Sequence, residues 1–160
     1  MTHDHVSPIP FPDFDTPLGP YWLQTHVGAI VALHTEPAAT PPDPVLRQQV
    51  AEWLNAYFQG HFLPLDDLPL APNGTPFQRR VWMALREISP GRIESYGALA
   101  QRVNSAPRAV GAALGANPLP ILLPCHRVLA ADGTLRGYSG RGGLESKRFL
   151  LRLEGIEICA

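Results

Sequence analysis

The sequence predicts an α+β fold in two lobes. A small sheet-plus-helix lobe spans residues 1–70, and a helical lobe laid out like a helix-turn-helix or winged helix spans 75–160. Three observations predict it. Short strand-like runs occur before residue 35, while capped helical patterns dominate after 75. The stretch between the lobes, HFLPLDDLPLAPNG (61–74), is aperiodic and punctuated by prolines, as a connector is. The charge divides at the same place: residues 1–74 carry Arg47 alone against eight acids (−7), and residues 75–160 carry 12 bases against six acids (+6).

Taken in order, YWLQT (21–25) and AIVAL (29–33) read as strands around a His-Val-Gly turn. EPAATPPDP (36–44) is a loop in which Asp43 offers an N-cap and Pro44 suits the first helical position. Val45, Leu46, Val50, Trp53, Leu54, Tyr57 and Phe58 follow at helical spacing, predicting an amphipathic helix over 44–59 that Gly60 ends. Thr75 and Gln78 then form a capping box around Pro76, with Phe77, Val81, Ala84, Leu85 and Ile88 as the apolar stripe. SPGR (89–92) is a turn. Ser95 caps a short helix over 96–103, and Ser105 caps the next, with Pro107 in its first turn and Asn117-Pro118 as its stop. ILL (121–123) reads as a short buried strand running into PCHR. Beyond a glycine-rich loop (133–143), LESKRFLLRLEG (144–155) is a last helix with Gly155 at its C-terminus.

Composition excludes several classes. An apolar fraction of 45% is ordinary for a globular protein, and no run approaches the ~20 apolar residues of a membrane span. MTHDHVSPIPFPDFD has no basic segment followed by an apolar core, so it does not read as a signal peptide. Two cysteines make no disulfide framework, which points to a reducing cytoplasm. Abundant Arg, Ala and Pro with scarce Lys hint at a GC-rich bacterial source. The +6 half suggests a polyanionic partner; two solvated faces of opposite sign are the plain alternative.

Two features carry chemistry. Cys125 is followed directly by His126 and Arg127. A free thiol titrates near ~8.5 and its thiolate is the nucleophile, so a working cysteine needs a base or a positive field. Neighbours on an extended strand point to opposite faces, so a Cys–His contact needs a turn or an intervening water. An inert core cysteine is the competing reading. The second feature is RAVGAALGA, where Ala109, Gly111, Ala112, Ala113, Gly115 and Ala116 make a small-sided helix headed by Arg108. Such a helix either packs tightly on another helix or enters a nucleic-acid groove, its slimness suiting the minor groove.

SYGALA, RAVGAALGANP, ILLPCHRV, GTLRGYSG and KRFLLRLEG, in that order, resemble the O6-alkylguanine-DNA alkyltransferase family over about residues 75–155. The first half is similar only loosely, through TPLGP and its strand–helix order. The resemblance implies direct, irreversible transfer of a methyl or alkyl group from guanine O6, and also from thymine O4, to Cys125. The partner would be double-stranded DNA carrying the lesion, and the protein a monomer that needs no cofactor or metal and repairs one lesion per molecule. It further implies that His126 activates the thiol through a water, that Glu154 orients His126, and that Asn117 braces the turn at the site. Arg108 would fill the stack when the base flips out, and Tyr96 would crowd the 3′ phosphate, with Ala109, Gly111, Ala112 and Gly115 along the groove. Leu114, Pro120, Val128, Tyr138 and Ser139 would receive the flipped base.

Three rival readings are weighed against this one. A lesion-binding relative that flips the base without chemistry would replace the acceptor cysteine. A cysteine hydrolase using Cys125 and His126 would turn over and ignore DNA. A metal site fails because Cys125, His126 and Cys159 do not supply four ligands.

Overall fold

The structure, a computed structural model, describes residues 11–135, 138 and 141–158. Its first half is an antiparallel sheet of order β1-β2-β3, from β1 (Phe14–Thr16), β2 (Gly19–His26) and β3 (Ala29–His34). Val27 and Gly28, at φ 42° and 74°, both take the left-handed conformation that a two-residue hairpin turn demands. β1 was not foreseen; it is three residues long and pairs Phe14 with Tyr21. The free edge of β3 is covered. Ile30 N–H donates to Pro69 O and Ala71 N–H to Ile30 O, each at 2.8 Å, and Leu33 N–H donates to Pro118 O at 2.9 Å.

The helix α1 (Pro44–Phe58) begins as expected, with Asp43 Oδ1 accepting from the N–H groups of Val45 and Leu46. Its buried stripe is Leu46, Val50, Trp53, Leu54 and Tyr57. Val45 is not part of it: one position off that stripe, it faces solvent at 65% exposure.

The second half begins with α2 (Pro76–Leu85), whose Thr75–Gln78 capping box is complete. Trp82, absent from the expected stripe, is buried beside Val81 and Leu85, and its Nε1–H donates to Ala113 O at 2.8 Å, docking α2 on the small-sided helix that carries Ala113. A Cβ on Gly74 would stand 2.5 Å from the Trp82 ring, so only glycine lets the connector pass there. The strand β4 (Glu94–Ser95) leads into α3 (Tyr96–Arg102), capped by Ser95, and then α4 (Pro107–Gly115). The N-cap of α4 is Ala106, not Ser105, and no side chain caps it. Pro107 at the first position, having no N–H, already leaves one less donor to satisfy.

The expected strand at 121–123 does not form. Residues 119–123 are buried but coiled, Leu123 N–H donating to Leu119 O at 2.8 Å, with Ile121 at φ 73°. Pro118, Pro120 and Pro124 deny this stretch the donors a sheet ladder needs. A 3-10 turn at Cys125–Arg127 follows, then β5 (Val128–Leu129), parallel to β4, and α5 (Gly143–Leu153). Most of the buried apolar side chains of both halves join in one cluster, running from Phe14 to Leu150.

Candidate active site

The 3-10 turn decides how the CHR triplet is presented. With about three residues per turn, successive side chains diverge by about a third of a revolution. Cys125, His126 and Arg127 therefore leave the backbone in three directions, and all three are buried. The opposed arrangement that an extended strand would impose on Cys125 and His126 does not arise.

Glu154, the C-terminal cap of α5, meets two of these side chains. Its Oε2 accepts from His126 Nε2 at 2.6 Å, from the Tyr57 hydroxyl at 2.5 Å and from Arg127 Nη2 at 3.1 Å. Its Oε1 accepts from Arg127 Nε at 2.7 Å and from Gly91 N–H at 3.3 Å. Arg127 Nη1 donates onward to Ile88 O at 2.6 Å. Burial alone would raise the Glu154 carboxyl, but hydrogen bonds from His126 and Arg127 and their charges overcome it and hold the pKa down at about 2. Burial pulls His126 below its ordinary value against the opposing pull of Glu154, so the imidazole is held neutral. With Nε2–H committed to Glu154, Nδ1 is the free basic nitrogen; it is buried and has no partner among the described residues.

Burial also pushes the Cys125 thiol up. A hydrogen bond from the Asn117 side chain and the charge of Lys147 work against that. Asn117 does bracing work as well: its Nδ2 donates to Leu123 O and its Oδ1 accepts from Leu119 N–H, both at 2.9 Å, tying off the coil before the cysteine. Lys147 is the chain's one lysine and is buried on α5. Its Nζ donates to Val128 O at 2.7 Å and stands 5.9 Å from the centre of the Tyr96 ring, and burial lowers its pKa to about 8. The Tyr138 hydroxyl is buried near enough for Cys125 to help raise its pKa, though burial does most of that, so it stays a proton donor. Leu114, Pro120 and Val128 are buried; Ser139 lies outside the described residues.

On α4, Val110, Ala113 and Leu114 face the core. Arg108, Ala112 and Gly115, spaced i, i+4 and i+7, are exposed, with Ala109 and Gly111 half-buried beside them. A Cβ added at Gly111 or Gly115 would meet nothing within 4 Å. Tight packing within the molecule therefore does not require these small residues.

Residues 76–156, half of the chain, match the family described as 6-O-methylguanine DNA methyltransferase, DNA binding domain. The chain belongs to that family. A methylated-DNA–protein-cysteine methyltransferase of Haemophilus influenzae is 50% identical over 111 residues, 68% of this chain and 61% of that protein. The chain thus matches about three fifths of that relative's length. A Thermus thermophilus protein named a DNA base-flipping protein is 44% identical over 145 residues, 88% of this chain and 96% of that one. The crystal structure of Mycobacterium tuberculosis OGT in complex with DNA superposes with a TM-score of 0.78 at 42% identity, covering 89% of this chain and 90% of that one. Membership in the methyltransferase family thus extends through the sheet and α1, where the sequence alone offered only TPLGP and element order.

Sequence reasoning brought Cys125, His126, Glu154 and Asn117 to one place; the geometry pairs His126 with Glu154 and Asn117 with Cys125, the two pairs meeting where Cys125 and His126 adjoin in the chain. It missed Tyr57, Arg127 as a partner of Glu154, and Lys147 beside the thiol. Lys147 had a signal: it lies seven positions before Glu154, one buried face of α5 away. Tyr57 had none, being 97 residues from its partner.

Proposed function

We propose that this chain repairs DNA by transferring an alkyl group from guanine O6, and also from thymine O4, onto Cys125, once per molecule. The observation that carries the reading is a buried thiol one residue before a buried His126, on the same 3-10 turn, with His126 Nε2 2.6 Å from Glu154. The Cys125 proton passes through a water to His126 Nδ1, leaving a thiolate in the field of Lys147. The sulfur attacks the alkyl carbon in line; the S–C bond forms as the C–O6 bond breaks and its electron pair stays on the purine. A proton from Tyr138 or Tyr96 neutralises that leaving group, and the imidazolium restores it. The thioether has no hydrolytic exit, so the protein is consumed.

The target oxygen lies inside the duplex, so the nucleotide must flip out, at a cost of a few kcal/mol. The open face of α4 supports entry into the minor groove, with Ala109, Gly111, Ala112 and Gly115 allowing close approach. Arg108 fills the stack with its planar guanidinium and hydrogen-bonds the orphaned base. Tyr96 presses on the neighbouring phosphate, while Leu114, Pro120, Val128, Tyr138 and Ser139 receive the base. We assign the work to a monomer, in a bacterial cytoplasm that keeps Cys125 reduced.

The second reading, flipping without chemistry, has the name of the Thermus thermophilus relative in its favour. Intact mass after mixing with excess O6-methylguanine duplex separates the two. One added methyl, mapped to Cys125 and abolished in Cys125→Ser, is the expected result; unchanged mass with retained duplex binding supports the second reading. Several turnovers per molecule would refute both.

A further inference from the structure

The carboxylate that orients His126 is held from outside the segment matching the family description. Tyr57 lies on α1, ahead of residues 76–156, and its hydroxyl donates to the same Glu154 oxygen that accepts from His126 Nε2. We propose that Tyr57 is a positioning residue of the alkyl-transfer site, whose hydroxyl fixes Glu154 Oε2 and restrains its pull on the His126 proton. The proposal rests on the reading of Cys125 as alkyl acceptor.

The direction of the hydroxyl is set by the core, not by Glu154. The Tyr57 ring stacks on Trp53 (5.3 Å, 10°), meets Phe58 edge-on at 5.3 Å, and touches Phe62 at 5.4 Å. Tyr57 is 1% exposed, so a proton donor is delivered to a fixed point. Desolvation and the facing carboxylate both push the Tyr57 pKa far up, which keeps that donor protonated.

A carboxylate offers about four lone-pair sites. Glu154 receives hydrogen bonds from Tyr57, His126, Gly91 and two nitrogens of Arg127, so it is saturated. Such a carboxylate orients Nε2–H without drawing it away, which keeps Nδ1 as the basic nitrogen. Among the described residues, the groups acting on this pair are Tyr57 from α1, Arg127 from the 3-10 turn and Lys147 from α5; Cys125 adjoins His126 in the chain, and Tyr138, from the preceding loop, acts on Tyr57 and Cys125. Arg127 and Lys147 disfavour a protonated His126, and Glu154 favours it. Removing the Tyr57 hydroxyl makes Oε2 more basic, tightens it on Nε2 and raises the affinity of the imidazole for a second proton. His126 then stays protonated to higher pH, where it takes no proton from Cys125.

The test is Tyr57→Phe in the full chain, which keeps the ring and removes one oxygen. Transfer is followed by intact mass with free O6-benzylguanine, which needs no base flipping, across a pH series. The expected loss near neutrality is about fivefold, the worth of one buried hydrogen bond, with the acid limb of the profile displaced to higher pH. The His126 imidazole resonances should titrate at higher pH in the variant than in the wild type. A Tyr57→Phe protein with wild-type rate, limb and His126 titration, however much its melting point drops, would make Tyr57 a packing residue and overturn the proposal. The titration also separates the two readings: if the wild type takes no alkyl group, the assignment of Cys125 fails, while an unmoved His126 sinks the role of Tyr57 itself.

Discussion

Glu154 and Arg127 are both buried, so changing Glu154 to Gln does two things. It removes the acceptor that orients His126, and it leaves the Arg127 guanidinium without its counter-charge. Glu154 is neither an exposed helix-end charge nor salt-bridged to Arg152 or Lys147: it is buried, Arg152 lies 3.9 Å from Glu157, and the Lys147 ammonium donates to Val128 O. Glu154→Gln should therefore slow transfer, raise the apparent pKa of Cys125, and also cost about 3–5 kcal/mol of stability, as loss of one buried partner does. Denaturant titration beside the mass assay checks both effects. The same group sets an acid limit. Its pKa in the fold is about 2 against an ordinary 4.5, so it binds its proton more weakly folded than unfolded. Its stabilisation is complete above the unfolded value and disappears as pH falls through about 2. That contribution is about 3 kcal/mol, and the stability of Glu154→Gln should be correspondingly flatter between those limits.

At the scale of elements, α4 is cheap to alter on one face and not on the other. Gly111 sits inside the helix with open space over it, so Gly111→Ala should stabilise the fold by roughly 0.5–1 kcal/mol. Ala112→Leu, on the exposed stripe, should leave the melting point near wild type yet weaken duplex binding, because a longer side chain holds the helix off the groove. Arg108→Ala should slow repair of duplex far more than reaction with free O6-benzylguanine; equal losses in both would reduce Arg108 to a surface residue. Elements with local causes were legible: the capping box at Thr75, the Asp43 cap and the Ser95 cap each depend on residues within one helical turn. The 121–123 segment was not, because its apolar run looks like a strand while its prolines and the left-handed Ile121 coil it. Cys125, His126 and Glu154 were legible from motif, whereas Tyr57 depends on how α1 packs, which no local pattern encodes.

For the whole molecule, charge and packing divide the chain differently. The charge splits it into halves of −7 and +6, and a family match that begins at residue 76 suggests that the second half stands alone. The core does not split: Phe14, Tyr21, Leu23 and Tyr57 belong to the same buried cluster as Val81, Leu119 and Leu150. Polar ties cross the same boundary. Leu33 N–H donates to Pro118 O at 2.9 Å, Arg141 Nη2 to Thr35 O at 2.7 Å, and Tyr57 to Glu154. Cutting at residue 74 would take Phe14, Tyr21, Leu23 and Tyr57 out of the cluster that holds Leu119 and Leu122, and strip Glu154 of its tyrosine. Each fully buried leucine exposed costs about 1.5–3 kcal/mol, and a handful equals the whole stability of an ordinary domain. The fragment 75–160 should therefore lack a cooperative thermal transition by near-ultraviolet circular dichroism and take up no alkyl group from free O6-benzylguanine. The full chain should melt in one step. Under the proposed function its duplex affinity should fall linearly on a log–log plot against salt, since a basic half docked on a duplex would neutralise phosphates whether or not a lesion is present. A sharp transition in the fragment, with stoichiometric alkylation of Cys125, would show instead that the first half only shields a site already complete without it.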